Sequence, residues 1–115
     1  MEVIAITRNF RMSALKGRAL ARAMRGKGVA EATGLLMFHP SKAAVVLLKT
    51  LKSAAANAKN NNNLDPDTLA IKSAVFDEGT RMRRYWHAAR GSAKPIARRL
   101  CHCKVVLTDE EVKRA

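Results

Sequence analysis

Apolar residues recur along this chain with two different periods, and the switches between them divide it into elements. Glu2 to Arg11 (EVIAITRNFR) is rich in β-branched and aromatic residues and reads as a strand with a basic end at Arg8 and Arg11. Ser13 then stands where a helix cap belongs, and ALKGRALARAMRG follows with Ala and Leu throughout and Gly26 as its stop. At about 100° per residue, Arg18, Arg22 and Arg25 fall on one stripe, while Leu15, Ala19, Leu20, Ala23 and Met24 cover the other side. The expectation is a helix that packs by one face and offers three guanidinium groups on the other.

Val29 to Phe38 (VAEATGLLMF) predicts a shorter, weaker helix, because Gly34 lies inside it, and His39-Pro40 ends it. Ser41 can cap the next. There Ala44, Leu47, Leu48, Leu51, Ala55 and Ala58 keep helical spacing, with Lys42, Lys49, Lys52 and Lys59 on the far side. The run Asn60 to Asn63, followed by Leu-Asp-Pro-Asp, reads as a helix exit and turn rather than as low complexity. Thr68 to Phe76 (TLAIKSAVF) returns to strand alternation, and Cys101 to Leu107 (CHCKVVL) is its expected partner.

Between those two strands the apolar pattern fades. From Gly79 to Thr108 there are eight Lys or Arg residues and no carboxylate, and the only Tyr and only Trp of the chain adjoin at Tyr85 and Trp86. If the flanking strands pair antiparallel, Asp77 to Leu100 is a hairpin extension turning near His87 to Gly91. At ~3.3 Å per residue it projects roughly 30–40 Å. An isolated ribbon with little to bury is marginal in water, so it needs an external partner. A disordered basic loop is the competing reading of the free protein. Against it stand the flanking strands, which impose register on the base, and the Tyr85-Trp86 pair, which a solvating loop does not need.

Charge names the partner's chemistry. The 115 residues carry 22 Lys plus Arg against nine Asp plus Glu, a net +13, so self-repulsion opposes compaction unless a polyanion neutralises it. Arg and Lys contact phosphates, aromatic and guanidinium planes stack on unpaired bases, and Gly91 allows close backbone approach. Those are tools for RNA. A membrane-surface helix would place its cations on one long amphipathic helix, whereas here the densest charge is interrupted by Gly79, Gly91 and Pro95. The longest aliphatic run, Ala43 to Leu48, is far short of the ~20 residues of a membrane span. A soluble, intracellular protein is expected, with free thiols at Cys101 and Cys103, which are too close in an extended chain for an unstrained disulfide.

Three stretches together resemble the bacterial-type large-subunit ribosomal protein L-twenty-two family: RNFRMSALKGRALARAMRGK (Arg8 to Lys27), AAANAKNNNNLDPDTLAIKSAVFDEG (Ala54 to Gly79) and ARGSAKPIARRLCHCKVVL (Ala89 to Leu107). The second is the most specific, since a generic basic protein has no reason to place Ala-Asn-Ala, an Asn pair, Leu-Asp-Pro-Asp and Asp-Glu-Gly at those intervals. The resemblance implies an α+β fold over residues 1–115, a three-stranded antiparallel sheet packed on three helices, with a long protruding β-hairpin arm at 79–94. It implies a structural protein of the large ribosomal subunit, in cytoplasmic or organellar ribosomes. Its body would lie on the subunit surface and its arm would line the nascent-peptide exit tunnel. Ribosomal RNA and neighbouring ribosomal proteins would be its partners, with nascent peptide and macrolides at the tip, and it would have no catalysis, cofactor or metal.

By position, Lys16 and Arg18 match the family's basic pair after the Ser cap, and Arg25-Gly26-Lys27 its Arg-Gly-Lys. Arg83 and Arg84, after Arg81, match the pair before the tip and Arg90-Gly91 the tip itself. Lys94, Arg98, Arg99 and His102 fall on the returning strand. With Arg8, Arg11, Arg22, Arg25, Tyr85 and Trp86, these are the expected RNA contacts. The arm departs from the pattern at Thr80 and His87, where Pro is usual, at Ala88 and Ser92, where Arg is usual, and at Leu100 to Cys103, where Thr-Ser-His-Ile is usual.

Other chemistries fit less well. Cys101 and Cys103 share one side of a strand and His102 the other, so the three do not converge on a metal. Asp77 and Glu78 face opposite ways and make a poor acid–base pair. A free-standing DNA- or RNA-binding module outside the ribosome is the alternative, but no recognition helix or dimer seam is visible.

Overall fold

The computed structural model describes residues 1–110. Strand β1 spans Glu2–Phe10, helix α1 Ala14–Met24, α2 Val29–Phe38 and α3 Lys42–Asn61, and strands β2 and β3 span Ala70–His87 and Ala93–Thr108. The sheet is antiparallel in the order β1-β3-β2. Its α+β plan and long β2–β3 hairpin are those expected. Extents of 62 × 25 × 23 Å follow, with the arm supplying the long dimension.

Inner positions alternate along each strand, as a one-sided sheet requires. Val3 and Ala5 of β1, Ile71, Ala74 and Phe76 of β2, and Cys101, Cys103, Val105 and Leu107 of β3 are all buried under the helices. On the opposite face Ile4 and Ile6 remain about half exposed. Central β3 is the most enclosed strand, with those four inner residues at 0 % exposure.

Helix α3 obeys its spacing, and Ser41 caps it, its hydroxyl accepting from the Ala44 amide at 3.2 Å. It buries a wider arc than expected, because it touches the sheet and both other helices. Val46, Thr50 and Ala54 are also enclosed. The buried Thr50 hydroxyl donates to the Val46 carbonyl (2.9 Å), so at the 2.7 Å contact with Thr7 it is Thr7 that donates. The asparagine run performs the helix exit: Asn62 is the C-cap and Asn63 takes φ 53°, while the Leu64 amide reaches back to the Ala58 carbonyl.

Helix α1 packs differently from its predicted face. Its buried residues are Ala14, Gly17, Ala21 and Met24, whereas Leu15 is 72 % exposed and Ala19 and Ala23 also face out. The cause is close approach. The Phe76 ring lies on Gly17 so tightly that a Cβ there would come within 2.8 Å of it. Small residues let the helix sink onto β2, which larger apolar ones would prevent. Ser13 occupies the cap position without a side-chain cap bond.

Two further expectations shift. Thr68 belongs to a 3-10 turn, Pro66–Thr68, so β2 begins at Ala70. Gly79 and Pro95 do not interrupt the arm but lie within continuous strands, Gly79 beside a bulge between Glu78 and Arg81. Pro95 is tolerated because a two-stranded ribbon consists of edges only.

Candidate nucleic-acid interface

Pairing in the arm continues to His87↔Ala93, and the turn falls within the expected segment, as the 3-10 turn Ala89–Gly91. Alternation gives the ribbon two faces. One carries Arg81, Arg83, Tyr85 and His87 opposite Arg99, Ala97, Pro95 and Ala93; the other carries Met82, Arg84 and Trp86 opposite Arg98, Ile96 and Lys94. Cations therefore line both faces. Among the described residues only Arg81 has a carboxylate partner in the arm, Glu78 at 3.3 Å.

The arm is less bare than its sequence suggests. Ile96 pairs with Arg84 and so lies diagonally between Met82 and Trp86, and Met82 and Ile96 are both partly covered. Tyr85 (79 % exposed) and Trp86 (55 %) remain open, and the Trp86 and His87 rings are parallel within 9° at 6.3 Å. At the tip the Ala88 amide donates to the Ser92 carbonyl (2.8 Å), and the Ser92 hydroxyl donates to the Ala89 carbonyl (2.8 Å). Ser92, at a position where the resembled family carries Arg, thus closes the turn instead of presenting charge. Arg90 holds φ 59°, a left-handed conformation costly for a side chain with a Cβ, and Gly91 follows at φ 73°.

His102 sits at the root of the arm, on the face opposite Cys101 and Cys103, as alternation required. Its surroundings are structural. Nδ1 accepts from the Asn9 amide at 3.0 Å, and Asn9 itself adopts φ 57° where β1 bulges. Across the sheet, a Cβ on Gly79 would meet the ring at 3.1 Å. The imidazole thus fills the space between two bulges, which explains why Gly stands at 79. Cys103, fully buried, has its thiol pushed up to about 11 by desolvation.

The body gathers its cations into two grooves. Arg18, Arg22 and Arg25 line one with Ala74, Phe76 and Asp77 of β2. Because α1 packs through Gly17 and Ala21, their stripe lies roughly a quarter turn from the buried face, bordering the sheet rather than opposing it. The second groove, at the arm's root, brings together Arg11, Lys16, Arg98 and Arg99 and adds Lys42. Sequence reasoning left Lys42 among solvent-facing lysines of α3. Its ammonium instead donates to the Arg11 carbonyl (2.9 Å) and lies 5.3 Å from the Phe10 ring centroid. Its place at the first turn of α3 was the available signal, since only the fold brings that turn to the end of β1.

Arg8 and Lys27 join neither groove. Arg8 is exposed on β1. Lys27 pairs with Glu31 at 3.3 Å, and its backbone is docked on the edge of β2, where the Ile71 amide donates to the Lys27 carbonyl and the Gly26 amide to the Ile71 carbonyl. The Arg-Gly-Lys motif thus serves the fold at least through its main chain. Among the described residues no helix is long and apolar enough to cross a membrane.

An extended, strongly basic α+β protein with a cationic ribbon that no other described part of it covers has the build of a structural protein that works within a larger assembly. The sequence matches the family described as "Ribosomal protein L22p/L17e" over residues 5–108. Three relatives, each a "Large ribosomal subunit protein uL22", are similar over nearly their whole length. That of Akkermansia muciniphila is 49 % identical over 96 % of this chain and 99 % of its own; that of Opitutus terrae, 46 % over 95 % and 96 %; that of Methylacidiphilum infernorum, 46 % over 98 % and 99 %. The chain belongs to the ribosomal protein L22 family, non-enzymatic structural proteins of the large ribosomal subunit.

Proposed function

We propose that this protein binds large-subunit ribosomal RNA through both faces of its arm and both body grooves, in a cytoplasmic ribosome. Residues 1–115 act as one domain, with 79–94 as the arm. The body lies at the subunit surface beside other ribosomal proteins, and the arm reaches the wall of the nascent-peptide exit tunnel. The observation that carries this reading is the arm itself, a paired ribbon with cations on both faces and a single carboxylate partner among the described residues. Such a ribbon repels itself in water and is stabilised by surrounding phosphates. The tunnel assignment draws on the family resemblance and is supported by the 62 Å long dimension. Tyr85 and Trp86, open near the tip, supply surfaces for unpaired bases.

Deleting Arg81 to Lys94 and closing the gap with a short turn tests it. The variant should melt nearly as the wild type does and still enter large subunits through its body. Those subunits should show altered chemical reactivity in tunnel RNA and an altered macrolide response. Footprints and drug response identical to wild type would show that the arm does not reach the tunnel. Equal affinity for random duplex DNA at matched salt would favour a free-standing nucleic-acid module instead.

A further inference from the structure

In a chain of net charge +13, residues 28–41 and 60–71 are the two longest stretches without a Lys or Arg. The fold brings them together where β2 begins, at the end of that strand away from the arm. Gly28 bridges Ala70, the Val29 amide donates to the Leu69 carbonyl (3.2 Å), and α2 packs against the 3-10 turn Pro66–Thr68. Three of the nine carboxylates, Glu31, Asp65 and Asp67, lie in these stretches. Lys27 holds Glu31, whereas Asp65 and Asp67 have no ion-pair partner among the described residues; they line an open hollow of about 570 Å³ that Lys59 also borders. The helix beside them is nearly apolar all round. Val29, Ala32 and Leu36 form its buried side, and Glu31, Leu35 and Phe38, at i, i+4 and i+7, make a stripe on the other. Leu35 is 48 % exposed, Met37 61 % and Phe38 88 %, the last more than any other large apolar side chain among the described residues. A helix apolar on both sides is one that works covered on both, and α3 covers only one.

We propose that the outer side of α2 docks a segment of a neighbouring ribosomal protein that carries bulky apolar anchors together with Lys or Arg. The anchors cover Leu35, Met37 and Phe38, and the cations reach Asp65 and Asp67 beside the start of the helix, roughly 10–15 Å from Phe38 along its axis. Charge decides the class of partner. A phosphate backbone is held by cations, and α2 supplies none, while the exposed carboxylates repel it. A second copy of this chain docking through the same face would set acids against like acids. A cationic segment meets complementary charge here and is repelled at the grooves and along the arm. This rests on the reading, given above, that the body lies beside other ribosomal proteins.

The probe is Phe38→p-benzoylphenylalanine in the full-length protein, assembled into large subunits and irradiated, with the linked product read by mass spectrometry. The expected product is a peptide of another ribosomal protein with Lys or Arg within a few residues of the linked site. A link to RNA, a link to a second copy, or no product at Phe38 would overturn the proposal. The peptide so identified is then synthesised and titrated against the full-length protein. M37Q/F38Q should weaken its binding about thirtyfold. D65N/D67N should weaken it about fivefold at low salt, a difference that fades as salt rises. All four side chains are exposed, so both variants should melt as wild type does. Wild-type affinity in either variant would also overturn the proposal. The underlying reading fails differently. If neither Phe38→p-benzoylphenylalanine nor Lys52→p-benzoylphenylalanine, on the exposed side of α3, links to any ribosomal protein in assembled subunits, the body does not lie beside one. Protein links from position 52 without any from position 38 would overturn the docking face alone.

Discussion

Strands β2 and β3 pass through two regions with the same pairing and opposite surroundings. In the body, Ile71, Ala74 and Phe76 face Leu107, Val105 and Cys103, and all six are at 2 % exposure or less. In the arm, the same ladder continues to His87↔Ala93 while Tyr85 and Trp86 stand open. β2 and β3 are hydrogen-bonded to each other in both, so their shared ladder alone does not distinguish a stable sheet from a dependent ribbon. What differs is apolar burial, which dominates folding energetics, and a net hydrogen bond contributes only about 1 kcal/mol. The body carries its own cover of helices, whereas among the described residues nothing packs over the arm beyond its base.

The widest separation between the two regions should appear on truncating an aromatic in each. Phe76→Ala removes the ring seated on Gly17 and should cost about 3–5 kcal/mol of unfolding free energy. Trp86→Ala should stay within about 0.5 kcal/mol. Both are measured by urea denaturation followed by circular dichroism, which does not depend on the tryptophan. Similar losses would break the comparison, because the arm would then contribute to the core.

A pH series sharpens it further. The Cys103 thiol is pushed up to about 11 from an ordinary 9.0 by burial, so an unfolded chain releases this proton before the folded one does. The associated stability is fully present below about pH 9 and is lost as pH rises through about 11, on the order of 3 kcal/mol in all. Denaturation of wild type and Cys103→Ala at pH 8 and pH 10.5 should converge at the higher pH. Parallel curves would mean that the thiol is not desolvated as its position in the core requires.

The smallest effect belongs to the tip. Arg90→Gly removes a left-handed strain of about 1 kcal/mol, which should slow exchange of the hydrogen-bonded Ala88 amide a few-fold and leave global melting unchanged. A shift of the global transition would couple tip and body, contrary to the comparison.

Much of this molecule was legible because its signals are local. The spacing of Leu47, Leu51 and Ala58 gave α3 its buried side, Ser41 its cap and Asn60 to Asn63 its exit, since capping and turn formation involve residues a few positions apart. The alternation of Cys101, His102 and Cys103 correctly separated core thiols from an outward imidazole. Helix α1 was misread at Leu15, Ala19 and Ala23 because hydrophobicity was taken as the mark of packing, while Gly17 and Ala21 pack by being small. Met82 and Ile96 were overlooked because they become diagonal neighbours on one face only once β2 and β3 are in register.

By itself, then, the amino-acid order determined the elements, their ends, the excess of positive charge and the place where apolar pattern gives way to cations, because each depends on neighbours along the chain. Tertiary structure alone decided how those cations are grouped. Arg11, Lys16, Lys42, Arg98 and Arg99 are up to 88 positions apart and share one groove only because β1 pairs with β3 and the first turns of α1 and α3 meet at the arm's root. Charge is a property of residues, but repulsion and anion binding depend on the distances between them, and those distances exist only in the folded chain.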